Sequence, residues 1–200
     1  MNKQALRRRQ LLFFFGLGAL AAGGAAQVLR SNSKPTAAAD SSRQIISKLA
    51  SAAGVTNGLP MPEFQGISQW LNSEPLSVAD LRGSVVLLQF WTFGCINCKR
   101  TLPYITRWHQ QYEAQGLKVI GVHTPEFAFE RDANNVRRAL QEHGITYAVP
   151  LDNEFGTWKA YRNRYWPHLF LASREGILVY DHIGEGAYAE TERMIQTLLG

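Results

Sequence analysis

Cysteine is scarce in this chain: 200 residues hold only Cys95 and Cys98. A structural zinc site wants four ligands. Beyond this pair the sequence offers only His109, His123, His143, His168 and His182, none in ligand spacing with another. No metal and no cofactor are expected. Acids are scarce at the start, where none occurs before residue 27. Lys3, Arg7, Arg8 and Arg9 supply four of the formal charges behind the net +5. The remainder is close to balanced and makes no case for a nucleic-acid-binding face. Arg137 and Arg138, like Arg162 and Arg164, have Glu and Asp nearby and read as solvated helix faces. There is no internal repeat, and nothing calls for a second core. One domain plus an extension is the expectation.

The extension is residues 1–29, a signal peptide or N-terminal membrane anchor. MNKQALRRR is a charged head, Leu11 to Ala26 (LLFFFGLGALAAGGAA) is apolar and small, and Ala-Ala before Gln27 offers a cleavage site. The apolar run of about 16 residues lies between the length of a signal core and that of a spanning helix, so cleaved and anchored forms both fit. Arg8-Arg9-Gln10-Leu11-Leu12 matches the core of a twin-arginine signal, but Arg7 stands where Ser or Thr is usual, which leaves Sec export open. In either case the positive head stays cytoplasmic and the body is extracytoplasmic, in the periplasm. Residues 30–59, rich in Ser, Ala, Asn and Thr, read as a flexible linker. Pro60 and Pro62 then mark the entry to a folded part over 60–200.

Within that part strand and helix patterns alternate. Ile67 to Leu71 reads as a short strand, and Val85 to Trp91 (VVLLQFW) is too apolar for a one-sided strand, hence central and buried. Leu102, Ile105, Trp108 and Tyr112 recur at helical spacing, Gly116 is a plausible cap, and Pro103 should kink that helix. Leu117 to His123 makes the next buried strand, parallel to the first through a βαβ connection. A second helix carries Val136, Ala139, Leu140 and His143 and ends at Gly144. Ala148 to Leu151 is a strand and Phe155 to Tyr161 a short helix. His168 to Ala172 and Ile177 to Ile183 form an antiparallel hairpin, and Met194, Ile195, Leu198 and Leu199 line the last helix. This order describes an α/β fold with a mixed central sheet and helices on both faces.

With two cysteines in the chain, a spacing of three arises by chance about once in a hundred arrangements. Residues three apart at a helix start face the same way, roughly 5 to 6 Å between Cβ atoms, within reach of a disulfide. The pair follows a buried strand and opens a helix, where free N–H groups and the positive dipole end favour a thiolate at Cys95. Lys99 and Arg100 add positive potential. Cys95 is then the attacking thiol and Cys98 the resolving one. A purely structural disulfide would close a loop of about four residues, the case of least stabilisation.

The stretch FWTFGCINCKRTLPY is preceded by ISQWLNSEPLSVADLRGSVVLL. It is followed by GLKVIGVHTPEF, LDNEFGTWKAYRNRYWPHLFL and GEGAY. Together these resemble the thioredoxin-like redoxins of the TlpA group, most of all the extracytoplasmic domain of DipZ-type proteins, from about Pro62 to Leu199. The resemblance implies a thioredoxin fold and thiol-disulfide exchange with protein partners across the membrane. It also implies a cis peptide at Pro167, which leaves the backbone of Trp166 free to pair with a substrate chain. Trp91 and Phe93 flank the motif as shields, with Trp91 a candidate substrate contact. For Trp158, Tyr161, Tyr165 and Trp166, core packing and a substrate-side aromatic surface are both open.

Departures from the wider family matter too. Gln89 stands where thioredoxins bury an Asp, so the base for Cys98 must be sought elsewhere, and Glu126 in HTPEF is the candidate. Ile96-Asn97 replaces Gly-Pro, which makes Asn97, with Lys99, a candidate tuner of the thiols. For His168, beside Pro167, a place near the sulfurs and a position on the strand surface are both open, the second being the more common outcome. The leading expectation is a reductant of protein disulfides fed by a membrane electron donor; run backwards, towards a membrane acceptor, the same chemistry oxidises the partner's thiols. Two alternatives are carried. One is a thiol peroxidase, since Thr92 to Cys95 gives TxxC, although Leu88 replaces the expected proline. The other is Cu(I) delivery with His123 or His168 as the distal ligand.

Overall fold

A computed structural model of the chain describes residues 58–200. The charged head and apolar run at 1–29, and nearly all of the 30–59 linker, lie outside the described residues. The last two linker positions are already paired: Gly58 N–H donates to Leu178 O, and Leu59 O accepts from Leu178 N–H.

Six strands form one sheet in the order β1-β4-β3-β2-β5-β6. They are β1 (Gln69–Leu71), β2 (Val85–Trp91), β3 (Leu117–His123), β4 (Val149–Leu151), β5 (His168–Ala172) and β6 (Leu178–Ile183). The pairs β2–β3 and β3–β4 are parallel, whereas β1–β4, β2–β5 and β5–β6 are antiparallel. This is the mixed sheet that the βαβα-ββα pattern predicts. All seven residues of β2 are buried, because side chains of both parities meet a packed layer. Val85, Leu87 and Trp91 join one core cluster, and Val86, Leu88 and Phe90 the other. The strand is hydrophobic on both faces for that reason.

The first cluster is covered by α1 (Ile96–Tyr112), α2 (Ala133–Glu142) and α4 (Tyr188–Leu199). Cys98, Leu102, Ile105, Trp108 and Tyr112 form the buried stripe of α1, the 3–4 spacing of an amphipathic helix. Pro103 lies on its exposed side within one continuous helix. The ladder bond Pro103 cannot make, to the Lys99 carbonyl, is thus lost where solvent can replace it. Stacked rings of Tyr104 and Tyr188, 3.6 Å apart, and the Arg107–Glu192 pair at 3.1 Å join α1 to α4. On the other face, the short helix α3 (Gly156–Ala160) and Met61, Val78 and Leu81 cover the second cluster.

Three strands are shorter than expected. Ser68 reaches Leu151 O through its N–H and hydroxyl, but the β1 ladder proper starts at Gln69. Ala148 and Ile177 make only isolated bridges, to Ile120 and Pro60. Among the described residues no helix is long and apolar enough to cross a membrane.

Gly156 opens α3 against the 63–66 segment, and a Cβ there would meet Gln65 O at 2.4 Å. A backbone atom cannot swing away as a side-chain tip can. Gly156→Ala is expected to cost about 2 kcal/mol, read as a fall in melting temperature of roughly 5 °C; an unchanged transition would mean that the segment is not packed there.

Candidate active site

Strand β2 ends at Trp91 and the chain turns through Thr92, Phe93 and Gly94 into Cys95, the N-cap of α1. The Cys95 backbone is extended (φ −78°, ψ 117°), and its sulfur accepts the Cys98 N–H at 3.3 Å. A cysteine thus fills the capping role usually taken by Ser, Thr or Asp. Cys95 is half-buried, Cys98 is fully buried, and both are free thiols. Burial, and then the hydrogen bond with Cys95, push the Cys98 thiol far above the ordinary cysteine range, with the field of Glu126 acting in the same direction. One sulfur is within a partner's reach, and the other lies beneath it with its proton held.

The Trp166–Pro167 peptide is cis, and the Trp166 carbonyl lies 3.9 Å from Cys95 Sγ. The half-buried Trp166 ring is fixed by its Nε1–H to Thr124 O at 3.0 Å and packs on Trp158 at 4.2 Å. Trp158 and Tyr161 are core residues, whereas Tyr165 is exposed.

The loop before Cys95 is tied down by a residue that sequence reading passed over. Glu130 is completely buried. Its Oε1 accepts the Gly94 N–H at 2.8 Å, and its Oε2 accepts the N–H groups of Glu126 at 2.6 Å and Phe127 at 2.8 Å. A Cβ on Gly94 would stand 2.3 Å from Glu130 Oε1, so the close approach requires glycine. HTPEFAFE contains two acids, and the structure buries the second. An acid directly behind two aromatic residues, as in Phe-Ala-Phe-Glu, was the available signal.

The other named positions divide. Asn97 and Lys99 are exposed in the first turn of α1, and Glu126 is exposed on the neighbouring loop. Trp91 departs from expectation: it is fully buried, donates its Nε1–H to Gly121 O at 3.1 Å and packs edge-on against His123. It has no surface to offer a substrate, because it points into the cluster under α1. His168 also departs: its ring lies on Phe170 in the opposite layer, with Nδ1 2.7 Å from Asn163 Oδ1 and Nε2 3.0 Å from Asp181 Oδ2. Residue parity in β5 sends it away from α1. Among the described residues no three His, Cys, Asp or Glu side chains gather to hold a metal.

His123 is buried behind the motif, stacked on Phe93 at 5.6 Å, with Nε2 3.3 Å from Thr92 Oγ1. Burial pushes its imidazole down to about 4 against a weaker upward pull from Glu130. An unfolded imidazole titrates near 6.5, so between those values the unfolded chain binds the extra proton. Stability contributed by the neutral ring is complete above the unfolded value and is lost as pH falls through the folded one. The loss should reach about 3 kcal/mol at pH 4. Urea titrations of wild type and His123→Gln at several pH values should differ by this slope, and parallel curves would contradict it. Glu130→Gln sets an NH2 group against backbone N–H donors and should cost about 3 kcal/mol. A loss below about 0.5 kcal/mol in the same titration, within the range of ordinary surface changes, would mean that the clamp is not formed.

Comparison with known proteins places these features in a family. Residues 58–181, more than half of the chain, match the AhpC/TSA family. The chain is 45% identical over 141 residues to Protein DipZ of Mycobacterium bovis, a match covering 69% of this chain and 20% of that protein. It is 27% identical over 140 residues to the thiol-disulfide oxidoreductase YkuV of Bacillus subtilis, covering 70% of this chain and 94% of YkuV. The chain spans about one fifth of the length of the DipZ proteins it matches. The crystal structure of a thiol-disulfide isomerase from Corynebacterium glutamicum superposes with a TM-score of 0.63 at 25% identity, covering 72% of this chain and 97% of that one. A six-stranded thioredoxin-like sheet with two cysteines at the mouth of its first helix, matched across that span, means that the chain belongs to the AhpC/TSA family.

Proposed function

We propose that this chain is an extracytoplasmic thiol-disulfide oxidoreductase that reduces disulfides in protein partners. The observation that carries the reading is the unequal pair on one helix turn: an accessible Cys95 receiving the Cys98 N–H at 3.3 Å, and a fully buried Cys98. The names of YkuV and of the Corynebacterium isomerase support the same chemistry. The extracytoplasmic setting rests on the arginine-rich head and apolar run at the N-terminus.

In the first step the Cys95 thiolate attacks one sulfur of the partner's disulfide. A Cys95–partner bond forms, the partner's S–S bond breaks, and the leaving thiolate takes a proton. Cys98 then loses its proton and attacks Cys95 Sγ, closing the Cys95–Cys98 disulfide and releasing the second partner sulfur as a thiol. Two electrons pass to the partner, and a membrane-bound dithiol donor would restore the pair. Glu126, exposed near the motif and felt by Cys98, is the acceptor proposed for the Cys98 proton. Asn97 and Lys99 line the approach to Cys95, and the backbone of Trp166 beside Pro167 receives the partner chain.

The alternatives draw less support. The Thr92 hydroxyl that a peroxidatic site would use is turned to His123. For Cu(I), His168 has both ring nitrogens against Asn163 and Asp181.

Cys98→Ser removes the resolving thiol. Expressed in cells, it should accumulate partner proteins as mixed disulfides, visible on non-reducing gels and absent from Cys95→Ser. Adducts of equal yield on the two variants, or none on either, would contradict the assigned roles.

A further inference from the structure

Three of the six large apolar side chains exposed among the described residues gather around Cys95: Ile96 at 59%, Phe127 at 50% and Phe129 at 55%. Ile96 adjoins Cys95 in the chain. Phe127 Cδ2 lies 3.7 Å from where a Gly94 Cβ would stand. The Phe127 and Phe129 rings are parallel, 5.7 Å apart, and Phe129 lies 5.7 Å from Phe93, which stacks on His123. A row of rings therefore runs from the buried end of β3 out to the surface beside the reactive sulfur.

This surface is not slack. Phe127 N–H is held by the buried Glu130 carboxylate, and Phe129 O accepts Asn135 Nδ2–H at 2.8 Å. The chain thus buries a carboxylate to hold two phenyl rings in water, and clustered apolar side chains of this kind mark contact sites. A mixed disulfide on Cys95 brings the partner's Cα within about 4.4 to 6.8 Å of its own. At roughly 3.3 Å per residue of extended chain, partner residues one or two positions from that cysteine reach the Gly94–Phe127 edge. Charged groups around the patch are Lys99, Glu126 and Arg100, the last paired with Glu185 at 3.3 Å.

We propose that Ile96, Phe127 and Phe129 form an apolar docking face for the partner segment that carries the reactive disulfide. The face favours partners with a large aliphatic or aromatic side chain within two residues of the attacked cysteine. The inference rests on the exchange reading above and names the partner chemistry of that same site.

The test uses the full chain, reduced, and two synthetic peptides that differ only in Phe or Ser two residues from a cysteine. Each peptide cysteine is carried as a mixed disulfide with thionitrobenzoate. Attack by the Cys95 thiolate on the peptide sulfur forms the Cys95–peptide bond and expels the coloured thionitrobenzoate anion, whose release gives the rate. The Phe peptide should react about tenfold faster than the Ser peptide. In Phe127→Ser/Phe129→Ser, and in the milder Phe129→Ser, the ratio should fall towards one. Each variant supplies its own reference, so a general slowing does not obscure the ratio. Equal rates in the wild type, or a ratio that survives the substitutions, would overturn the docking face. So would a wild-type dimer that the double variant dissociates, or wild-type binding to lipid vesicles that the double variant loses, since the face would then belong to a second copy or a membrane. A wild-type protein inert towards free dithionitrobenzoate would instead sink the exchange reading itself.

Discussion

The buried Glu130 carboxylate is the contact on which the geometry of the redox loop depends. Removing a charge from water costs several kcal/mol unless it is fully hydrogen-bonded. Here three backbone N–H donors, from Gly94, Glu126 and Phe127, offset that cost. The donors lie on two separate segments, the turn into the helix and the loop after β3. The turn from β2 into α1 and the loop after β3 are thereby fastened to one side chain, and Cys95 starts its helix from a fixed position. Gly94 belongs to the same device, because only a residue without Cβ lets the carboxylate approach.

From that fixed start the two sulfurs acquire different environments. Cys95 caps the helix at the surface with the Trp166 carbonyl at its side, whereas Cys98 faces the core one turn on. Gln89, in the place of the thioredoxin Asp, donates to Thr101 Oγ1 at 2.7 Å, and Thr101 donates to Cys98 O at 2.7 Å. This neutral relay braces the first turn of α1 but has no carboxylate to take a proton. The route proposed for the Cys98 proton therefore lies on the other side of the motif, where the field of Glu126 acts on the thiol.

Long, strongly patterned elements were legible in the sequence. The runs 85–91, 117–123 and 168–172 are strands over their full expected lengths, because burial on both faces leaves a continuous apolar signature. The 3–4 spacing of Leu102, Ile105, Trp108 and Tyr112 gave the α1 face for a similar reason. The cysteine pair was legible because its spacing and its place between strand and helix carry independent information. Side-chain direction at the site was less so. Trp91 and His168 are near the motif in sequence or across the cis peptide, yet strand parity turns one into the core and the other to the opposite layer. The burial of Glu130 depends on a short 3-10 turn (Ala128–Arg131), which leaves no periodic trace and whose fold-back puts this acid under Gly94.

Exchange at this pair depends most directly on one thiol being reachable and the other sealed. Native, reduced protein treated with a small alkylating reagent and then digested for mass spectrometry tests that asymmetry at single-residue resolution. A single adduct on Cys95, with Cys98 modified only after denaturation, is the predicted result. Prompt labelling of Cys98 in the native protein, or equal labelling of both sulfurs, would contradict it.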